Sequence, residues 1–305
     1  MTANKMKLGV VNVAAITPRR DDGQPDLGPT LEMIDRLCAA GAGGIAMLGS
    51  TGEFLHLGFD DRVHLMRMAV KRSRVPVIAG VSHSTLDGTV SLALEATQAG
   101  AAALLVMPPY FFRYGQAEIR EFFLRFAGRM AGAAPLFLYN IPFFTSEMSC
   151  QTACELLASG AYAGIKDSSG SLDYFAALKA QREKTPFTLI VGNDRIFTRA
   201  RTAGADGVVS GVACPMPELI IGLNRAIEKD NAPKVDLLER RLQEFIGWLD
   251  KFPAPVAVKE ATAVRGLKIG PPSAPLSPDS RRCLDEFRSW FKDWFPQVVR
   301  EASGD

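Results

Sequence analysis

Lys166 stands at the end of the apolar run Tyr162–Lys166, within the stretch "YAGIKDSSG". An amine held in a dry pocket has its charged form disfavoured, and the neutral amine can attack a carbonyl carbon. The plainer alternative is a strand-end lysine that reaches water or pairs with Asp167. Taken alone, Lys166 reads as that alternative; its company changes the reading. In Gly49-Ser50-Thr51-Gly52-Glu53, two glycines bracket two hydroxyls, so backbone N–H groups and the Ser50 and Thr51 side chains can converge on one small anion. The spacing is not that of a phosphate-binding P-loop, and a carboxylate fits it better than a nucleotide. Tyr139 ends another apolar run and could move protons beside Lys166, or be a core tyrosine with a satisfied hydroxyl. Asp194 and Arg195 open a helical segment, either for capping or to face the part of a substrate distant from Lys166.

These residues need a frame that brings them together. Short apolar runs at Leu8–Ile16, Gly44–Leu48, Val75–Ala79, Ala102–Met107, Pro135–Tyr139, Tyr162–Lys166, Phe187–Val191 and Gly207–Val209 read as strands. Amphipathic stretches separate them: Pro29–Ala40, Arg62–Arg72, Asp87–Ala99, Gln116–Arg129, Gln151–Ser159, Leu172–Arg182 and Ile196–Ala203. Continuous apolar strands alternating with helices predict a parallel sheet covered on both faces. Gly41, Gly100, Gly160 and Gly204 each follow a helical stretch, where a residue of positive φ ends a helix cheaply. Eight such units predict a (β/α)₈ TIM barrel over residues 1–230, and no GxGxxG follows the first strand to support an open dinucleotide-binding sheet. Residues 231–305 read as helices only, at Val235–Trp248, Val256–Leu267 and Pro278–Val298, a C-terminal helical extension. Barrel chemistry sits at the C-terminal ends of strands, where Ser50, Tyr139, Lys166 and Asp194 all fall.

Composition narrows the field further. The 305 residues are 47% hydrophobic and 22% charged, enough to bury a large core without staples. A formal net charge of +2 with no basic run argues against nucleic acid. Five scattered cysteines and three dispersed histidines suggest no metal centre, and free thiols fit a cytoplasmic protein. Lys5 and Lys7 before Leu8–Ile16 imitate a signal peptide, but Asn12 interrupts the run and Thr17-Pro18-Arg19-Arg20 replaces a cleavage site. That run is also too short to span a membrane.

The segments "GSTGE" (49–53), "PPYFF" (108–112), "YNIP" (139–142), "GIKDSSG" (164–170) and "GADGVVSG" (204–211) resemble, in order, those of the dihydrodipicolinate synthase / N-acetylneuraminate lyase family. The resemblance implies a Schiff-base-forming lyase or aldolase that joins or separates pyruvate, or a related 2-oxo acid, and an aldehyde. It implies no metal, no diffusible cofactor and a homotetramer built from dimers. Lys166 would form the imine and Tyr139 would shuttle protons. Gly49, Ser50 and Thr51 would bind the carboxylate, and Asp194 would meet substrate hydroxyls.

Two departures bear on the substrate. Phe144 stands where lysine-pathway enzymes of the family carry an arginine. Tyr110-Phe111 replaces their tyrosine pair, so the hydroxyl offered to a neighbouring subunit is missing. Both argue against authentic 4-hydroxy-tetrahydrodipicolinate synthase activity. Arg195 replaces the glutamate of sialic-acid lyases and could meet a distal carboxylate, while Tyr110 and Phe144 would help line an aromatic or apolar site. A keto-deoxy sugar acid dehydratase on the same imine, and a non-catalytic barrel that senses a 2-oxo acid, are the remaining readings.

Overall fold

The computed structural model describes residues 8–304, so Lys5 and Lys7 of the signal-like segment lie outside the described residues. Eight strands close into one parallel barrel in sequence order, each paired with its neighbours in the chain and the last with the first. They are β1 (Val11–Ala14), β2 (Gly44–Met47), β3 (Val77–Gly80), β4 (Ala103–Val106), β5 (Leu136–Asn140), β6 (Gly164–Asp167), β7 (Thr188–Val191) and β8 (Gly207–Ser210). Apart from Thr188, every strand residue is buried. That explains why the runs are apolar throughout instead of alternating: one face fills the barrel and the other meets helices.

The covering helices are α1 (Leu27–Ala39), α2 (Phe59–Arg72), α3 (Leu86–Ala99), α4 (Gln116–Arg129), α5 (Cys150–Ala158), α6 (Leu172–Lys184), α7 (Phe197–Thr202) and α8 (Pro217–Glu228). For the eighth unit the sequence reading names no helix; α8 supplies it, with a proline in its first turn. Helix α2 begins earlier than the apolar stripe suggests because its first turn carries Asp60 and Asp61, acids that suit a helix N-terminus but bury nothing. Thr85, Ser149 and Ser171 cap α3, α5 and α6 through their side chains. Gly41, Gly100, Gly160 and Gly204 have φ values of 86°, 91°, 73° and 103°, the left-handed turn each helix-to-strand joint requires.

The chain then leaves the alternation. Helices α9 (Ala232–Leu249), α10 (Val256–Val264) and α11 (Pro278–Ser303) follow, with the Pro-rich link Gly270–Pro278 before the last. Phe245, Trp248, Phe287, Trp290, Phe291 and Trp294 pack face to face between α9 and α11. Arg241 grips Glu301 with two hydrogen bonds of 2.8 and 2.7 Å across the same pair of helices. No helix among the described residues is long and apolar enough to cross a membrane.

Candidate active site

Strand register sets the centre of the site. Tyr139 and Lys166 are paired across β5 and β6, as are Asn140 and Asp167 one residue further on. Side chains alternate along a strand, so the two pairs point in opposite directions. Tyr139 and Lys166 both line a cavity of about 410 Å³ at the barrel mouth. The Lys166 Nζ lies 4.0 Å from the centre of the Tyr139 ring, and Lys166 is only 5% exposed. Asn140 and Asp167 are buried in the opposite direction, where Asn140 Nδ2 donates to Asp167 Oδ1 at 2.8 Å and Ser169 Oγ donates to Asp167 Oδ2 at 2.7 Å. Burial pushes the Asp167 carboxyl up, while Ser169 and Asn140 oppose the rise. The alternative partner for Lys166 is thereby engaged elsewhere, and no hydrogen bond joins Lys166 to Asp167 among the described residues.

The loop after β2 faces this pair. Ser50 Oγ and Tyr139 Oη are 3.1 Å apart, within hydrogen-bond distance, and Thr51 lines the same cavity. Neither Ser50 nor Thr51 donates its backbone N–H to a protein acceptor among the described residues. The loop is bracketed by two non-glycine residues of positive φ, Leu48 at 60° and Glu53 at 51°. Gly49 lies in the loop without lining the cavity. Behind it, Gly52 accepts a 2.7 Å hydrogen bond from Thr17 Oγ through its carbonyl.

The opposite wall comes from β7, β8 and α9. A Cβ on Gly192 would lie 2.4 Å from Lys166 Cε and 2.1 Å from Ser168 Oγ, so only glycine leaves Lys166 its place. Ser168 Oγ is itself buried without a hydrogen-bond partner and lines the cavity. Asp194 uses Oδ2 to accept from the N–H groups of Gly211 and Val212, at 3.1 and 3.2 Å, tying the β7 loop to the β8 loop. Its Oδ1 is buried without a partner, and burial raises the carboxyl against the hydrogen bonds and the Lys166 charge that would lower it. Arg195 pairs with Asp250 at 2.5 Å, and both are half-exposed at the cavity rim with Phe143.

Besides Gly49, two further residues expected at the site, Tyr110 and Phe144, are not brought to this cavity within a single chain. Tyr110 packs edge-on against Phe54 with ring centres 5.6 Å apart. Phe144 is 56% exposed, and it is Phe143 that lines the rim. Sequence reasoning places Gly192 and Ser168 in segments at the strand ends without giving either a role, and misses the α9 residues Ile246 and Leu249, which complete the wall. Nothing local marks the α9 pair. A larger cavity of about 740 Å³ lies between the Pro-rich link, α10 and α11, and holds neither Lys166 nor Tyr139. Volume alone would point to the wrong place.

A buried amine with a phenol beside it at the mouth of a closed (β/α)₈ barrel is the arrangement that class I carbon–carbon lyase chemistry needs. The sequence model of the dihydrodipicolinate synthetase family matches residues 7–293, and the chain belongs to that family. A 4-hydroxy-tetrahydrodipicolinate synthase of Azoarcus sp. (strain BH72) is 33% identical over 269 residues, covering 87% of this chain and 91% of the relative. YagE, a prophage protein of the same family from E. coli K12 solved with pyruvate, superposes with a TM-score of 0.85 at 26% identity, covering 96% of this chain and 99% of its own. The 4-hydroxy-tetrahydrodipicolinate synthase of Methylacidiphilum fumariolicum SolV gives a TM-score of 0.86 at 26% identity, over 97% and 99% of the two chains.

Proposed function

We propose that the chain joins or cleaves a 2-oxo acid and an aldehyde through an imine on Lys166. The observation that carries this reading is the placement of Lys166 Nζ over the Tyr139 ring, with Ser50 Oγ 3.1 Å from the Tyr139 hydroxyl. The Ser50 and Thr51 hydroxyls and their undirected N–H groups receive the carboxylate, which sets the 2-keto carbon before Lys166. The Lys166 amine attacks that carbon to give a carbinolamine. One amine proton passes to the former carbonyl oxygen in the carbinolamine. Tyr139 then donates a proton as that hydroxyl leaves as water, so the remaining N–H stays on the protonated imine and Tyr139 is left as phenolate. The protonated imine then accepts the electrons of the C3–C4 bond in cleavage. In the other direction, loss of a C3 proton gives an enamine that attacks the aldehyde carbon. In cleavage the Tyr139 phenolate takes the C4 hydroxyl proton as the aldehyde forms; in synthesis it takes the C3 proton and returns it to the new alkoxide, with Ser50 as its hydrogen-bond partner.

The aldehyde end meets Phe143, Arg195, Asp194 and Leu249. Apolar surface beside a rim arginine suits an aldehyde that bears an aromatic or aliphatic body and a distal carboxylate. Phe144 and Phe111 keep us from assigning the activity named for the Azoarcus relative. Assembly as a cytoplasmic homotetramer belongs to the same reading. It draws support from Phe111, Phe112, Phe143 and Phe144, which expose 87%, 67%, 68% and 56% of their surface in one chain.

Borohydride trapping with pyruvate followed by peptide mass spectrometry tests the proposal. A reduced adduct on Lys166 is the expected result. Labelling by a longer 2-oxo acid but never by pyruvate would favour the dehydratase. No adduct with any 2-oxo acid would leave the barrel without this chemistry.

A further inference from the structure

One buried ion pair joins the anion loop to the C-terminal extension. Glu53, the last residue of Gly49–Glu53, meets Lys259 of α10 at 2.7 Å although 206 residues separate them. The two side chains are only 6% and 4% exposed. Ser273, in the Pro-rich link, donates to the other Glu53 oxygen. Burial acts to raise the Glu53 carboxyl, yet the hydrogen bonds from Lys259 and Ser273 outweigh it and hold the group below its ordinary range. The buried Arg19 guanidinium adds to the same attraction.

The backbone at this point is unusual. Glu53 has φ 51° and ψ 38°, a left-handed conformation that non-glycine residues seldom adopt. Leu48 at the other end of the loop is left-handed as well. Strain of this kind persists only where surrounding contacts over-determine it. At Glu53 the carboxylate is held by Lys259 and Ser273, with the half-exposed His56 Nδ1 3.6 Å away. Three residues back along the chain lies Ser50, whose carbonyl accepts the Glu53 N–H at 3.0 Å, so the turn carrying Ser50 and Thr51 is closed on Glu53 itself.

We infer that Lys259 and Ser273 are positioning residues for 2-oxo acid binding, acting through Glu53 to fix the Ser50–Thr51 loop. Neither touches the cavity that holds Lys166. Their contribution is therefore to how tightly the carboxylate is received, and the chemical step on Lys166 proceeds once the site is filled. The inference rests on the Schiff-base reading, because it takes Ser50 and Thr51 as the carboxylate site.

The test is the pyruvate concentration that gives half-maximal borohydride labelling of Lys166, measured well below the thermal midpoint of each variant. Lys259→Met should raise it at least about tenfold, since small misplacements of a binding group carry large penalties. Labelling at saturating pyruvate should reach the wild-type extent, and Lys259→Arg should restore most of the affinity. Arg241→Ala, which breaks the distant pair to Glu301, should lower thermal stability without moving the pyruvate dependence. A folded Lys259→Met protein with unchanged half-saturation would overturn the inference, as would an Arg241→Ala protein showing the same shift. Should Lys259→Met fail to fold, Ser273→Ala decides: a rise of about threefold supports the assignment and no rise removes it. Failure of the wild-type protein to label with any 2-oxo acid would sink the Schiff-base reading and this inference together. Wild-type labelling without a shift in the variants sinks the inference alone.

Discussion

Tyr139 and Lys166 are register partners on adjacent parallel strands, and the Lys166 Nζ stands 4.0 Å from the centre of the Tyr139 ring. The phenol is thus fixed to the amine by the barrel itself, with no loop between them to adjust their separation. Asn140 and Asp167, one step along, hydrogen-bond on the other face and hold the same register. Pairing of this kind makes the two inner residues act as a unit.

Lys166→Ala should therefore abolish both pyruvate labelling and turnover. Tyr139→Phe should keep the fold and lower turnover by about 10²–10⁴-fold, the span of a lost proton-transfer group. Steady-state rates on the best aldehyde partner, with circular dichroism to confirm folding, provide the check. Near-normal turnover by Lys166→Ala would remove the imine from the mechanism.

Gly192→Ala probes the space around the amine. The new methyl would press on Lys166 Cε and Ser168 Oγ at 2.4 and 2.1 Å, and the lysine must move. Labelling by pyruvate should fall at least about tenfold, at a stability cost of about 1–3 kcal/mol for overpacking. Unchanged labelling kinetics would show that Lys166 can act from a different rotamer.

The Glu53–Lys259 pair predicts an acid limit. Because the folded Glu53 carboxyl sits below its ordinary value, its stabilisation is complete above the unfolded value, about pH 4.3. It is lost as pH falls through the lower folded value. Glu53→Gln should be less stable by about 3–5 kcal/mol at neutral pH, since it leaves the Lys259 ammonium buried without its partner. The gap between wild type and variant should narrow only below about pH 4. Denaturant titrations at pH 7 and pH 3.5 measure both, and a gap independent of pH would mean the pair contributes nothing through its charge.

Arg195→Ala separates the two substrates. The Arg195–Asp250 pair is half-exposed, so its loss should change stability by no more than about 1 kcal/mol. Pyruvate labelling should be unaffected, while KM for a carboxylate-bearing aldehyde should rise. An equal loss with neutral and acidic aldehydes would show that Arg195 reads no charge.

What the sequence made legible was whatever repeats or travels in one segment. The glycines at 41, 100, 160 and 204 marked four helix-to-strand joints because their conformation leaves a residue-type signature. Lys166 and Tyr139 were found because each ends an apolar run, and strand ends in a barrel share one rim. Gly192 lies in the segment after the seventh strand, yet its role is not legible there, since that role is the absence of a Cβ against a side chain on another strand. Lys259 escaped for a related reason: its partner is 206 residues away, and no local pattern encodes that distance. Tyr110 and Phe144 sit on rim loops, where no period of two or 3.6 says which way a side chain turns.

Helix α9 stops at Leu249, and Leu249 and Asp250 line the mouth beside Arg195. One further helical turn there would add about 5.4 Å of helix beside the mouth. The C-terminal extension thus lends the mouth one of its edges, and the place of that edge is set by where a helix ends. Lengthening or shortening the chain at residue 250 would alter that edge at a distance in sequence from the strands that carry Tyr139 and Lys166.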